Sequence, residues 1–394
     1  MSADFRNLYL SYDEITATLK AWSEKWPDLT RLETLGQTDE GREIWLLTIG
    51  PRPDDIRPAV WVDGNMHAAE LCGSSVALAI AEDMLGFLAE GRPPRDLPEA
   101  VCETLRDVLF YVVPRISPDG AERILNEARF VRSNNRDERP DEGRSFWRPQ
   151  DLDGDGQSFA MRVEDPTGEF VASRDEPNLM LPRTVDDEGP FYKLYPEGLI
   201  ENFDGRTVPS PSFLSDCPTD LNRNFPWSWV PEHGQAGAGA YPGSEPESRA
   251  VIEFTTRHPN IFAWLNLHTF GGVGIRPLGD QPDNKMDQSD LAIYRQVGQW
   301  LEDASGYPTV SGFEEFTYEP EKPIHGDLTD YAYHQRGCIS WVVELWDLFT
   351  QIGVERKKPF VKIYTELTRG DLVKIARWDR EHNAGRIIRP WQPF

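Results

Sequence analysis

His67 and Glu70 stand three residues apart in Val62-Asp63-Gly64-Asn65-Met66-His67-Ala68-Ala69-Glu70-Leu71-Cys72. An imidazole nitrogen and a carboxylate oxygen are both zinc ligands, and a loop of this length can bend the two toward one ion. Alone the pattern is weak and common, and a solvated loop is the better reading of it. Two distant segments shift that balance. Ile261-Phe262-Ala263-Trp264-Leu265-Asn266-Leu267-His268 is an apolar run ending on a histidine, and Cys338-Ile339-Ser340-Trp341-Val342-Val343-Glu344 ends on a carboxylate. His67, Glu70 and His268 make a three-ligand set that leaves a fourth position open, the arrangement of catalytic rather than structural zinc. Glu344, among Trp341, Val343 and Leu345, needs a partner for its charge, and acid/base work beside a metal supplies one.

The elements that must position these groups are legible around them. Ala59-Val60-Trp61-Val62 reads as a buried strand that stops at Asp63-Gly64. After Gly73 a helix is expected, burying Val76, Leu78, Ala79, Ile80, Met84 and Leu85. The pair thus occupies a strand-to-helix loop at the carboxyl edge of a sheet, where open α/β folds build their sites. Upstream, Ser11 and Glu14 form a capping box, and Ile15, Leu19 and Trp22 predict an amphipathic helix to about Trp26. Strands are expected over 41–49 and 108–114, the latter leading into Ser117-Pro118-Asp119-Gly120. Helices are expected near 245–256, 291–301 and 359–383. Alternating strands and helices, several strands apolar throughout, predict an α/β fold: a mixed, mainly parallel twisted sheet with helices on both faces.

In this order, the His67–Glu70 loop, the 117–120 turn, Arg132, Asn222-Arg223 within Asp220–Phe225, the strand to His268 and the strand to Glu344 resemble the zinc carboxypeptidases of the pancreatic A and B type. The likeness runs over roughly residues 8 to 350. It implies one zinc ion held by His67, Glu70 and His268, with a bound water whose pKa falls toward ~7. Glu344 would take that water's proton and pass it to the leaving amine. Arg132 would polarise the scissile carbonyl, with Arg129 and Arg136 as alternatives in the same segment. Asn222 and Arg223 would bind the carboxylate of a peptide's C-terminus, a fork matching a fork. Tyr318 would close over the substrate, with Tyr331 and Tyr333 as alternatives. Thr329 falls at the base of the specificity pocket beside Asp330, and threonine leaves side-chain preference open. Ala69 replaces an arginine that pancreatic members place between the first two ligands. The resemblance also implies non-proline cis bonds at Thr269–Phe270 and Trp346–Asp347. The activity implied is hydrolysis of the C-terminal peptide bond. Rivals are a zinc amidase or deacylase acting on cell-wall peptides or small acyl-amino acids, and a non-catalytic binding module. A module of that kind should have lost a ligand or the acid, and all are present.

Composition sets outer bounds. With 394 residues the expectation is one catalytic domain over 1–394, without a prodomain and with a long insertion at about 133–219 of little periodicity, which would form a rim around the site or a decorated loop. Inside it, Asp151, Asp153 and Asp155 alternate like the first half of a calcium loop, but Arg162 stands where the bidentate glutamate belongs. A Ca²⁺ site and a tight acidic turn are both open there. Gly234–Gly243 lacks the Lys-Ser/Thr ending of a phosphate loop. A net charge of −25 argues against nucleic acid and anionic membranes as partners. The four cysteines are scattered, with Cys72 and Cys338 expected as buried thiols. With no signal-peptide pattern and no apolar run near ~20 residues, a cytoplasmic location is expected. Oligomeric state is left open.

Overall fold

A computed structural model describes residues 4–93, 97–127, 130–135, 143, 145–209, 219–319 and 321–392. The chain divides into two compact units. The first comprises Met1–Asn126, Phe130–Pro140 and Cys217–Trp346. Its frame is an eight-stranded sheet: β1 (Thr30–Gln37), β2 (Glu43–Ile49), β3 (Ala59–Gly64), β4 (Leu109–Val113), β5 (Ile261–Thr269), β6 (Val273–Arg276), β7 (Thr309–Ser311) and β8 (Ile339–Leu345). In space the order is β1-β2-β4-β3-β5-β8-β6-β7. The four central strands β4, β3, β5 and β8 run parallel, so their carboxyl ends share one edge. Strand β1, which the sequence reading did not anticipate, adds antiparallel to β2 at the rim.

The central strands are apolar on both sides, and successive residues serve opposite faces. Leu47, Val62, Val112, Leu267 and Val343 pack with the helices Tyr12–Lys25, Cys72–Glu90 and Gln288–Ser305. Leu46, Trp61, Tyr111 and Trp264 pack with Pro246–Arg257 and Leu328–Arg336. The first helix carries the expected capping box, Ser11 with Glu14, worth ~1 kcal/mol. The helix Cys72–Glu90 is long and apolar enough to cross a membrane by length and composition, yet Ala77, Leu78, Ala81 and Leu85 bury against the sheet. Cys72 at its start is half-buried rather than buried, while Cys338 is buried.

Close approach sets the site loop. A Cβ on Gly64, the last residue of β3, would stand 2.5 Å from the Gly73 carbonyl. The strand end and the helix start therefore touch, and residues 65–72 bulge out over the sheet edge. Asn65, at φ 55°, makes the bend and donates from Nδ2 to the carbonyls of His67 (2.7 Å) and Ala68 (3.1 Å).

The second unit comprises Glu127–Arg129, Asp141–Asp216 and Asp347–Phe394. The segment read as an aperiodic insertion is built of short strands instead. Ala160–Glu164, Phe191–Pro196, Phe170–Ala172 and Met180–Pro182 form a four-stranded antiparallel sheet, and Phe146–Pro149 pairs with Gly198–Glu201. Val171 and Leu181 of this sheet, with Leu179 just before the strand Met180–Pro182, bury against Leu372, Val373 and Ala376 of the helix Arg369–His382. Arg369 pairs with Asp187 at 2.7 Å. In the acidic turn, Asp151 accepts from Gly154 and Gly156 N–H, Asp153 from Asp155, and Asp155 from Gln157 and Arg389. One oxygen from each of the three lies within 4.8 Å of the others, but these carboxylates hold their own loop and one arginine, and nothing in the contacts distinguishes a calcium site from a tight acidic turn.

Candidate functional site

Three parallel strands deliver the central groups. Beyond β3, the 65–72 loop turns His67 and Glu70 inward, β5 ends on His268, and β8 carries Glu344. The register sets His268 directly beside Glu344 on adjacent strands. His67 Nδ1 lies 2.8 Å from Glu70 Oε1, His268 Nδ1 lies 2.9 Å from Glu70 Oε2, and the two Nδ1 atoms are 3.1 Å apart. A tetrahedral zinc with bonds of ~2.0–2.1 Å spaces its ligand atoms about 3.3 Å apart. The trio therefore fits zinc in donor type, number and spacing. Both histidines are almost wholly buried, 4% and 2% exposed.

Asp220, within the segment quoted for its neighbours but given no role from sequence, organises the far side. Its Oδ1 lies 3.0 Å from His67 Nε2 and its Oδ2 3.0 Å from Arg132 Nε. An ionised carboxylate only accepts, so Asp220 holds a proton on His67 Nε2, and Nδ1 is the nitrogen that can offer its lone pair to an ion in the ligand cluster. Burial works to raise the Asp220 carboxyl, but Arg132 and His67 overcome it and hold it well below the usual range. Burial likewise opposes ionisation of Glu70, and His67 and His268 reverse the balance. Arg132 also approaches Glu70 at 3.5 Å.

Arg132 is seated by a contact far along the chain. Strand β4 leads to the 117–120 turn, where a Cβ on Gly120 would stand 1.7 Å from the Ser133 carbonyl. Ser117 Oγ donates to the same carbonyl at 2.6 Å, and the Arg132 carbonyl accepts from Ala68 N–H at 2.9 Å. The segment bearing the arginine is thus fastened to the ligand loop itself. The alternatives Arg129 and Arg136 lie outside the described residues.

Asn222 and Arg223 follow Asp220 in a short 3₁₀ turn. Asn222 Oδ1 accepts Leu328 N–H at 2.8 Å, which leaves Nδ2 to donate, and Arg223 Nη1 donates to the Asn222 carbonyl at 2.7 Å. Burial raises the Tyr318 phenol and the Glu344 charge raises it further, while Arg132 and Arg223 pull it down, so the ring lies within Coulombic reach of all three. Tyr318 is 60% exposed. Its two alternatives are engaged elsewhere: Tyr331 is in the core against Thr255, and Tyr333 donates to Asp290. Thr329 is buried, with its hydroxyl donating to Asp327 at 2.6 Å, and Asp330 accepts Gly279 N–H at 3.0 Å. Thr269–Phe270 is cis, but Trp346–Asp347 is not, and the other non-proline cis bond among the described residues is Pro277–Leu278.

Glu344 is the acid/base candidate. Burial, and next the Glu70 charge, push its carboxyl up to about 8 against the opposing pull of His268 and Arg132. A cation on the three ligands would offset the Glu70 charge and favour the ionised form needed of a base.

A zinc carboxypeptidase family model matches residues 15–179 and 203–357. Carboxypeptidase B of Astacus astacus is 32% identical over 124 residues, 32% of this chain and 37% of that protein. Carboxypeptidase B2 of Rattus norvegicus is 20% identical over 358 residues, 88% of this chain and 65% of its own length. The chain thus spans less than two thirds of either relative. Among solved structures, thrombin activatable fibrinolysis inhibitor superposes with a TM-score of 0.54 at 19% identity, covering 88% of this chain and 70% of that one. Carboxypeptidase A from Helicoverpa armigera gives 0.55 at 19%, covering 86% and 65%. These two likenesses concern the fold. With most of its length matched by the family model, and with the three ligand side chains converging as zinc requires, the chain belongs to the zinc carboxypeptidase family.

Proposed function

We propose that the protein is a zinc-dependent metallocarboxypeptidase that hydrolyses the C-terminal peptide bond of peptides. The observation that supports this reading is the β5–β8 register, which pairs His268 with Glu344, with Arg132 and Arg223 sharing Coulombic reach of Tyr318 with Glu344. His67, Glu70 and His268 would hold the ion. When bound, zinc supplies Lewis acidity and brings the pKa of a coordinated water toward ~7. Glu344, ionised, accepts a proton as the carbonyl is attacked and returns it to the leaving amine. Arg132, held on Nε by Asp220, brings its positive charge to the developing oxyanion. Arg223, with the amide of Asn222, holds the substrate's terminal carboxylate and so limits cleavage to chain ends.

The test compares zinc-loaded protein on a peptide with a free and with an amidated C-terminus. Loss of a charge-assisted bidentate contact costs ~2–5 kcal/mol. That is roughly 30- to several-thousandfold in kcat/KM at ~1.4 kcal/mol per tenfold. Arg223→Ala should lose a similar factor on the free acid and little more on the amide. Equal cleavage of both by the wild-type protein would overturn the exopeptidase reading in favour of an amidase or deacylase, and no turnover of any acyl substrate would favour the binding module.

A further inference from the structure

Asp63 is a fully buried carboxylate that the mechanism above does not use. It lies at the end of β3, four residues before His67, and makes no ion pair among the described residues. Three donors surround it. Trp61 Nε1 and Trp264 Nε1 each donate to Oδ2 at 2.7 Å, and Asn266 Nδ2 donates to Oδ1. Asn266 in turn sets its Oδ1 2.6 Å from His268 Nε2. The two indoles pack against each other in the core, with ring centroids 4.9 Å apart.

We propose that Asp63 and Asn266 are positioning residues that set the tautomer of His268 and so create its metal-binding lone pair. An indole N–H only donates, and an ionised carboxylate only accepts. Two indoles therefore fix the carboxylate, and the carboxylate admits only the amide nitrogen of Asn266. The amide oxygen must then face His268, where it accepts from Nε2–H. The ring's obligatory proton is thus held on Nε2, and Nδ1, which faces Glu70 Oε2 at 2.9 Å, can give up any proton it shares with that carboxylate when an ion takes its place. The logic matches that of Asp220 and His67, with one difference. Asp220 acts on its histidine directly, whereas Asp63 acts through an amide that would otherwise be free to turn over. Without the charge at 63, Asn266 can present Nδ2 to His268, which pulls the proton to Nδ1 and blocks the ligand atom.

The inference rests on zinc at this site, and the experiment separates the two. Zinc affinity is measured by chelator competition on the full chain for wild type, Asp63→Asn and the exchanged pair Asp63→Asn with Asn266→Asp. Loss of such a supporting contact typically lowers metal affinity ~10–100-fold, and that is expected for Asp63→Asn. In the exchanged pair, the amide introduced at position 63 offers its oxygen to the indoles and its N–H groups to the carboxylate introduced at position 266, which accepts from His268 Nε2. Most of the lost affinity should return, a rescue that a merely structural role for Asp63 does not predict. Nitrogen NMR of ¹⁵N-histidine protein reads the protonation of each ring nitrogen directly, with a proton expected on Nε2 of His268 in the zinc-free wild type, whatever Nδ1 shares with Glu70. Asp63→Asn with wild-type affinity, an exchanged pair that folds without recovering affinity, or a His268 without a proton on Nε2 in the wild type would each overturn the proposal. The last measurement needs no variant, so it decides the matter even if Asp63→Asn fails to fold. A wild type that binds no zinc at all would instead overturn the metal site, leaving the tautomer measurement to stand on its own.

Discussion

Glu247 should make the protein less stable as pH rises through neutrality. It sits in the first turn of the helix Pro246–Arg257, 1% exposed, and shares the Asn134 amide with the equally buried Glu245: Asn134 Nδ2 lies 3.2 Å from Glu247 and 2.9 Å from Glu245. Burial raises its carboxyl to about 8, and the charges of Glu245 and Asp119 add to the rise. In the unfolded chain it titrates near its ordinary value of 4.5. Between these values the folded state keeps a proton that the unfolded state has released, so the slope of stability with pH is negative. The full contribution is present below about 4.5 and is lost as pH climbs through about 8. At ~1.4 kcal/mol per unit over a window of about three and a half units, the ceiling is ~5 kcal/mol, of which several kcal/mol is a fair expectation. Glu247→Gln removes the titration while keeping shape and an acceptor for Asn134. Thermal unfolding of both proteins from pH 5 to 9 isolates the effect, because the other titrating groups cancel in the difference. The glutamine variant should match wild type or fall slightly below it at pH 5, and exceed it increasingly from pH 6.5 upward. A difference that is flat with pH, or that grows toward acid, would refute the reasoning.

Further outcomes follow from the site. Glu344→Gln keeps shape but loses the proton acceptor, so zinc should still bind while kcat falls ~10²–10⁴-fold; a near-normal kcat would show that another group accepts the proton. Gly120→Ala places a methyl 1.7 Å from the Ser133 carbonyl. Overpacking of this kind costs ~1–3 kcal/mol, and the displaced 130–135 segment should carry Arg132 out of line, so that Tm and kcat fall together; wild-type values of both would refute this. Zinc joins two ligands from the 65–72 loop to one from the end of β5, so it should raise Tm by mass action, with ~4 kcal/mol at a thousandfold excess over Kd. A Tm indifferent to zinc or to a chelator would count against the site.

How much of this was legible beforehand depends on how far apart the deciding residues are. The ligand types, the apolar strands ending on His268 and Glu344, and the Ser11–Glu14 cap are properties of short windows. Local periodicity and hydrogen-bonding chemistry determine them wherever the window sits in the fold. The 143–209 strands were missed because they are three to six residues long and largely half-exposed, without the alternation a sheet packed on one face imposes. Other decisions belonged to the tertiary structure. Asp220 reaches His67 across 153 positions, and no spacing rule links them. Arg132 is aimed by Gly120 and Ser133, a contact visible only once β4 has been laid beside β3. Tyr318, Tyr331 and Tyr333 are equivalent as letters, and packing alone sends one to the core and another to Asp290. Sequence determined which groups were available for zinc chemistry. Sheet register and close packing decided which nitrogen of each histidine faces the ion, because a tautomer is set by the partner on the ring's other side, and that partner comes from elsewhere in the fold.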